Sequence, residues 1–281
     1  MLTRVNEKTT NPAPEPLGVE AELERFLRTS DAEEKLGFFV PEGVRFTPEA
    51  APRRIERPGR PVEWTVAAKS PRTPTGRALE RPEARARLLH TFLHHELQAA
   101  ELFAFAVLAF PGAPLEFREG LVRLCGVELE HLGLYRGELR RLGFEVGDFP
   151  VRDWLFGRGA SVGSALEFVS LVGLGFEGAN LDHSARFARW FREAGDEDGA
   201  RVLERIGAEE EGHVAFAVRW FERLGGEELD YDRWCELLPR PLTPAVFRGP
   251  TIDRRARERA GLGRVFLDRL EHEAPTSTPR R

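Results

Sequence analysis

One pattern occurs twice in this sequence and constrains its fold more than any other feature: a glutamate followed, a helix length later, by a Glu-x-x-His. The members of the two copies are Glu96, Glu128 and His131, then Glu177, Glu210 and His213. Corresponding glutamates are 81 and 82 residues apart, which indicates an internal repeat. Positions i and i+3 share a helix face, so each Glu-x-x-His can direct a carboxylate and an imidazole at one metal ion.

Four long segments with helical periodicity carry the repeat. We expect helices at about Pro82–Phe110, Pro114–Leu142, Ser164–Ala194 and Glu197–Leu224. The first and second connect through a short turn, as do the third and fourth, so each pair is expected to form an antiparallel hairpin. The longer connection, Gly143–Gly163, is then a crossover between hairpins. The predicted fold class is all-α, a ferritin-like four-helix bundle.

The four glutamates fall at matched depths in these hairpins. Glu96 lies as far before the first turn, at Gly112, as Glu128 lies after it. Glu177 and Glu210 are related in the same way by the second turn. We therefore expect each pair to meet across its hairpin.

Each of these glutamates interrupts an apolar helix face. Four buried carboxylates would be very costly without cations, which favours a metal site. The alternatives are a solvated helix face for each residue, or a bundle that kept its fold and lost the metal. Gly173, Gly175 and Gly178 make the third helix open, either for close helix approach or to leave room for a small molecule.

Several neighbours are alternative or supporting candidates. Glu101 also lies among apolar residues and could replace Glu96 as a ligand, although depth favours Glu96. His94 is expected at the surface or beside the ligands rather than among them. Asn180, three residues after a candidate ligand, could hydrogen-bond to it. Tyr135 either lines the site or packs in the core.

The chain divides by composition into three parts. Residues 1–80 are rich in proline and predict an arm with a disordered start and one short helix, at Val19–Arg28. Residues 81–225 hold the bundle. Residues 226–281 predict a C-terminal extension with short helices near Asp230–Leu238 and Asp253–His272, then a polar tail.

Composition excludes some classes of protein. The net charge is −5, with acidic residues interleaved among the arginines, so a nucleic-acid partner is not expected. Two cysteines, Cys125 and Cys235, cannot form a disulfide framework, which favours the cytoplasm. No apolar run of 18 residues is present, so a membrane span is not expected either.

The sequence resembles the DUF455 family, a ferritin-like group of unknown function, over about residues 70–225. The similar segments are Leu88–Leu102, Gly147–Pro150, Glu177–Asp182, Glu210–Phe216 and Arg219–Phe221. The resemblance implies the same six metal ligands that the repeat identifies. Arg152 stands where the family tends to have histidine, and Asn180 where it tends to have glycine.

These observations predict an oxygen-activating oxidoreductase whose cofactor is two iron ions, or manganese and iron. Its partners would be O2, a small organic substrate and an electron donor, and a homodimer is compatible with the sequence. One alternative is a di-iron hydroxylase that modifies tRNA, since the resemblance extends faintly to such enzymes, but it requires a basic face that the sequence does not show. The other is a non-catalytic metal-binding or interaction protein.

Overall fold

A computed structural model describes residues 18–69 and 73–273. Its helices are α1 (Val19–Arg28), α2 (Ala32–Leu36), α3 (Pro82–Ala109), α4 (Leu115–Arg141), α5 (Trp154–Gly159), α6 (Ala165–Phe168), α7 (Gly178–Glu193), α8 (Glu197–Gly225), α9 (Tyr231–Leu237), α10 (Arg254–Arg259) and α11 (Arg264–His272). Within the described ranges the β pairing consists of one parallel bridge, between Val66 and Val151. The all-α class is confirmed. The expected disordered start and polar tail lie outside the described residues.

Two helical hairpins form the centre of the molecule. Helix α3 packs along α4, α7 packs along α8, and α4 also contacts α8. The α7–α8 turn depends on Gly195, whose φ of +79° suits a residue without a Cβ atom. Asp196 then caps α8 by accepting the N–H of Gly199. The connection between the hairpins is the long one predicted, and it contains α5.

The third long helix differs from the expectation of one continuous α-helix over Ser164–Ala194. Helices α6 and α7 are joined by a π-helical segment, Val169–Glu177. A Cβ atom on Gly173 would lie 2.5 Å from the Cβ of Ala217 in α8. Of the two roles expected for the glycines of this helix, Gly173 therefore has the first: it allows close approach to α8 rather than leaving room for a small molecule.

The N-terminal arm is part of the core. Helix α1, which the sequence predicts with the same bounds, packs against α3. Its Leu23, Phe26 and Leu27 side chains are fully buried. Because α1, α4 and α5 all pack on α3, most of α3 is buried.

The C-terminal segment corrects one prediction. The prediction of a single helix near Asp253–His272 is wrong. Two helices, α10 and α11, occupy this range, and the helix is interrupted at Gly261, where φ is +95°. Asp182 of α7 ties this segment to the hairpins through a bidentate ion pair with Arg257. None of the helices described is long and apolar enough to cross a membrane.

Candidate metal centre

The six repeated residues meet between the two hairpins. Glu96 comes from α3, Glu177 is the last residue of the π-helical segment, and the two Glu-x-x-His pairs come from α4 and α8. All six side chains are buried. The sequence folds this way because each residue shares a helix face with the apolar positions that pack the hairpins together.

Their ligand atoms form two overlapping groups. In each group, one ligand atom per residue lies within 4.8 Å of the others. The groups are Glu96, Glu128, His131 and Glu210, and Glu128, Glu177, Glu210 and His213. Two glutamates therefore belong to both groups, while each group has its own histidine and its own further glutamate.

The shared glutamates each face both imidazoles. Glu128 Oε1 lies 2.8 Å from His213 Nδ1, and its Oε2 lies 3.6 Å from His131 Nδ1. Glu210 repeats this arrangement, with Oε2 at 3.0 Å from His213 Nδ1 and Oε1 at 3.7 Å from His131 Nδ1. Each carboxylate thus offers one oxygen to each group, which is the arrangement that bridging between two cations requires.

Atoms of this cluster remain without hydrogen bonds despite their burial. The approaches of 2.8 and 3.0 Å given above lack hydrogen-bond geometry, so among the described residues no hydrogen-bond partner exists for either carboxylate oxygen of Glu128 or Glu210, or for Nδ1 of His131 or His213. Leaving so many buried polar atoms unsatisfied costs free energy that only another partner can offset. The cluster fits a metal centre, because cations would coordinate these atoms.

The electrostatics show the same need for positive charge. Burial, reinforced by the charge of Glu128, raises the pKa of Glu96 well above its usual value. Burial and the charge of Glu210 do the same for Glu177. Burial alone would lower the pKa of His131, but the neighbouring Glu128 and Glu96 carboxylates raise it to about 11. Protons therefore balance the carboxylate charge in the protein alone, and a bound metal would displace them.

Glu101 is occupied elsewhere. Its carboxylate is fully buried and pairs with Lys35 Nζ at 2.9 Å and with the Arg60 guanidinium at 2.5 and 2.7 Å. His94 is buried too, so the surface position, one of the two expected for it, is wrong; its Nε2 lies 2.8 Å from Asp153 Oδ1, and it belongs to neither ligand group, as expected. These residues join the arm and the crossover to α3. Of the two candidate ligands on α3, Glu96 and Glu101, it is Glu96 that lies in the cluster.

The other two neighbours lie close to the cluster. Asn180 donates from Nδ2 to Oε2 of Glu177 at 3.3 Å, as expected. Tyr135 is buried against Phe92 and lines a small cavity that also contacts Glu96. It therefore both packs in the core and borders the cluster.

Sequence reasoning missed Glu209. Its Oε2 lies 2.9 Å from His131 Nε2, on the opposite side of the ring from the cluster, and its Oε1 accepts from Arg205 at 2.9 Å. A carboxylate on the outer nitrogen orients a ligating imidazole and increases its basicity. The sequence indicates this role only through the position of Glu209 next to Glu210. Because Glu209–Glu211 are all glutamates, that position does not single out Glu209.

A cavity of about 160 Å³ adjoins the cluster. Glu96 and Glu177, the two glutamates that the groups do not share, lie in its wall. The remaining wall is mostly apolar and includes Trp154, Phe176 and Phe247. The cluster is thus accessible from the side of its unshared carboxylates.

Fold and cluster together define an all-helical protein with a buried group of carboxylates and imidazoles suited to metal ions. The chain belongs to the family described as "Protein of unknown function (DUF455)", whose model matches residues 20–268. The match extends beyond the 70–225 range inferred above, so the arm and much of the C-terminal extension belong to the family.

Among curated proteins, the chain is similar to an uncharacterized protein of Haemophilus influenzae. The two are 27% identical over 208 residues, which cover 71% of this chain and 72% of the relative. No solved structure matches.

Proposed function

We propose that this chain is a ferritin-like four-helix bundle that holds two iron ions, or manganese and iron, and activates oxygen to oxidise a small organic substrate. The observation that carries the proposal is the sharing of Glu128 and Glu210 between two ligand groups, each completed by its own histidine and glutamate. This is the ligand set of di-metal carboxylate proteins of the ferritin-like class, a Glu from each of two helices and a Glu-x-x-His from each of the others.

Each residue has a definite task in this proposal. Two redox-active ions, when bound, supply the electrons that reduce oxygen. Glu128 and Glu210, which belong to both ligand groups, would hold the ions, and their charge would offset the positive charge brought into the core. Glu96 and Glu177 would complete the ligand set from the side of the cavity, the side on which a substrate could approach. Glu209 fixes the ring of His131 from outside.

The chemistry of the donors supports iron or manganese. Four carboxylates with two imidazoles form a mostly oxygen set, whereas copper and structural zinc sites use more nitrogen and sulfur. The π-helical segment that ends at Glu177 adds further support, because π-helical turns are frequent at functional sites.

The cavity favours oxidation of a small molecule over both alternatives. A non-catalytic metal-binding protein has no need of an apolar chamber beside the unshared ligands. The described residues lining that chamber include neither lysine nor arginine, so no cation within it would pair with a phosphate group.

Oxygen consumption by the reduced, iron-loaded protein tests the proposal. The wild type should consume oxygen and develop near-ultraviolet or visible absorption. Glu177→Ala should abolish both signals and leave helix content nearly unchanged, because apolar contacts hold the hairpins together. Glu211→Ala, on the outer face of the same helix as Glu210, is the control and should behave as wild type. If the wild type holds two irons but does not react with oxygen in the presence of any reductant, the proposed enzymatic activity is refuted and only metal binding is supported.

A further inference from the structure

The cavity beside Glu96 and Glu177 has the dimensions of one small ring. Its volume is about 160 Å³. An apolar cavity of about 150 Å³ in another protein admits benzene. The volume therefore limits the part of an occupant that lies inside the cavity to about one six-membered ring with one or two further atoms.

Aromatic side chains build much of the wall. The ring centroids of Trp154 and Phe176 are 5.8 Å apart, and those of Phe176 and Phe247 are 5.6 Å apart. Such tilted arrangements suit contact with the edge or face of another ring. The wall thus favours a flat, apolar body.

Phe247 is held firmly in that wall. Its backbone oxygen accepts from Arg257 at 3.1 Å, and Arg257 is itself held by Asp182. Its ring lies against Gly175, where a Cβ atom would be only 3.1 Å away. Phe247 therefore fixes the size of the chamber on the side of the C-terminal segment.

One polar group in the wall has a defined direction of hydrogen bonding. His183 Nδ1 lies 3.3 Å from an Arg186 nitrogen, which can only donate, so Nδ1 accepts. Burial lowers the pKa of His183 to about 4, so the ring is neutral near pH 7 and its proton is on Nε2. His183, which lines the cavity, therefore carries its one hydrogen-bond donor on Nε2.

The charges in the wall select against ions. The described residues around the chamber that carry formal charge are Glu96 and Glu177, which metal ions would neutralise. A carboxylate or phosphate on the substrate would lose its hydration and gain no lysine or arginine in return, and the four carboxylates of the cluster would already balance the charge of two divalent ions. An uncharged substrate pays no such cost.

We propose that this cavity binds an uncharged, ring-sized substrate that carries a hydroxyl or carbonyl oxygen, with His183 donating to that oxygen and Phe247 limiting its length. The identity of the cavity as a substrate chamber rests on the proposed function. Its preference for size, charge and oxygen is a property of these side chains and can be measured by binding alone.

Calorimetric titration of the metal-loaded protein with three probes tests the preference. Benzyl alcohol should bind at least tenfold more tightly than benzoate and several-fold more tightly than toluene. In His183→Phe, the advantage of benzyl alcohol over toluene should disappear, while toluene binds as in the wild type. Equal affinity of the wild type for benzoate and benzyl alcohol would overturn the inference, as would an unchanged benzyl alcohol preference in His183→Phe.

A second variant keeps the inference testable if His183→Phe fails to fold. Phe247→Ala should admit 2-naphthylmethanol, which the wild type should bind at least tenfold more weakly. Phe39→Ala removes a phenylalanine that is 70% exposed and is the matched control, with wild-type selectivity. If Phe247→Ala excludes the larger probe as the wild type does, Phe247 does not limit the chamber and the inference fails.

Metal analysis of the same samples separates this inference from the proposed function. If the protein holds two ions per chain but binds no neutral ring, the inference about the cavity is refuted, and the proposed reaction with oxygen is still tested separately. Ring binding with the predicted selectivity in a protein that holds metal but ignores oxygen would support the chamber and refute the oxidase.

Discussion

Asp182 ties helix α7 to the C-terminal segment, and replacing it by alanine should destabilise the protein strongly. Its carboxylate accepts from the Arg257 guanidinium at 3.0 and 2.9 Å, and from the backbone N–H groups of Gly249 and Asp253 at 2.8 and 2.7 Å. Arg257 is only 1% exposed. Removing one partner of a buried pair costs about 3–5 kcal/mol, because the other charge stays buried and uncompensated. That loss is a large part of the stability of an ordinary domain.

Urea unfolding measures the effect as a change in the free energy of unfolding. Asp232→Ala is the matched control, since its pair with Arg269 lies in solvent and should contribute little. The double variant Asp182→Ala/Arg257→Met should recover much of the loss, because it removes the stranded charge. A loss below about 1 kcal/mol for Asp182→Ala would refute the argument that this pair fastens the segment.

Three further tests, each with its own substitutions, address separate parts of the account. Glu96→Ala should deplete bound metal, whereas Glu101→Ala should leave two ions per chain in elemental analysis but lower the free energy of unfolding by about 3–5 kcal/mol, since it strands the fully buried Lys35, while Arg60 keeps its pair with Asp153. Glu209→Ala should weaken metal binding about 10- to 100-fold in competition with a chelator, because the α4 imidazole loses its outer partner, and Glu211→Ala should not. Burial lowers the pKa of His90 to about 4, and its ring accepts a backbone N–H. The His90 ring takes up a proton near pH 6.5 in the unfolded chain but only near pH 4 in the native state. As the pH falls from 6.5 to 4, the free energy of unfolding therefore decreases by about 3 kcal/mol on account of His90. The free energy of unfolding of His90→Gln should depend less on pH over this range.

Local patterns account for what the sequence predicted well. The two hairpins follow from apolar periodicity and short turns. The pairing of Glu96 with Glu128, and of Glu177 with Glu210, follows from their equal distances from those turns. Both depend on residues close together along one helix or one hairpin, where spacing alone fixes which side chains meet.

The features that sequence reasoning missed depend on distant partners or on tertiary packing. Lys35 and Glu101 pair across 66 residues, and no local pattern marks either one. The π-helical turn at Val169–Glu177 forms where glycines allow the backbone to approach α8 and Phe247, so tertiary packing rather than helix propensity determines it. The break at Gly261 was missed because the apolar pattern continues across it.

The central claim is that two metal ions share Glu128 and Glu210, and anomalous diffraction from crystals of the iron- and manganese-loaded protein tests it most directly. The account predicts two peaks between these carboxylates, about 3.5–4 Å apart, one beside His131 and the other beside His213. The double variant His131→Ala/His213→Ala should hold less than one ion per chain. A single peak, or none, in the fully loaded wild type would contradict the account.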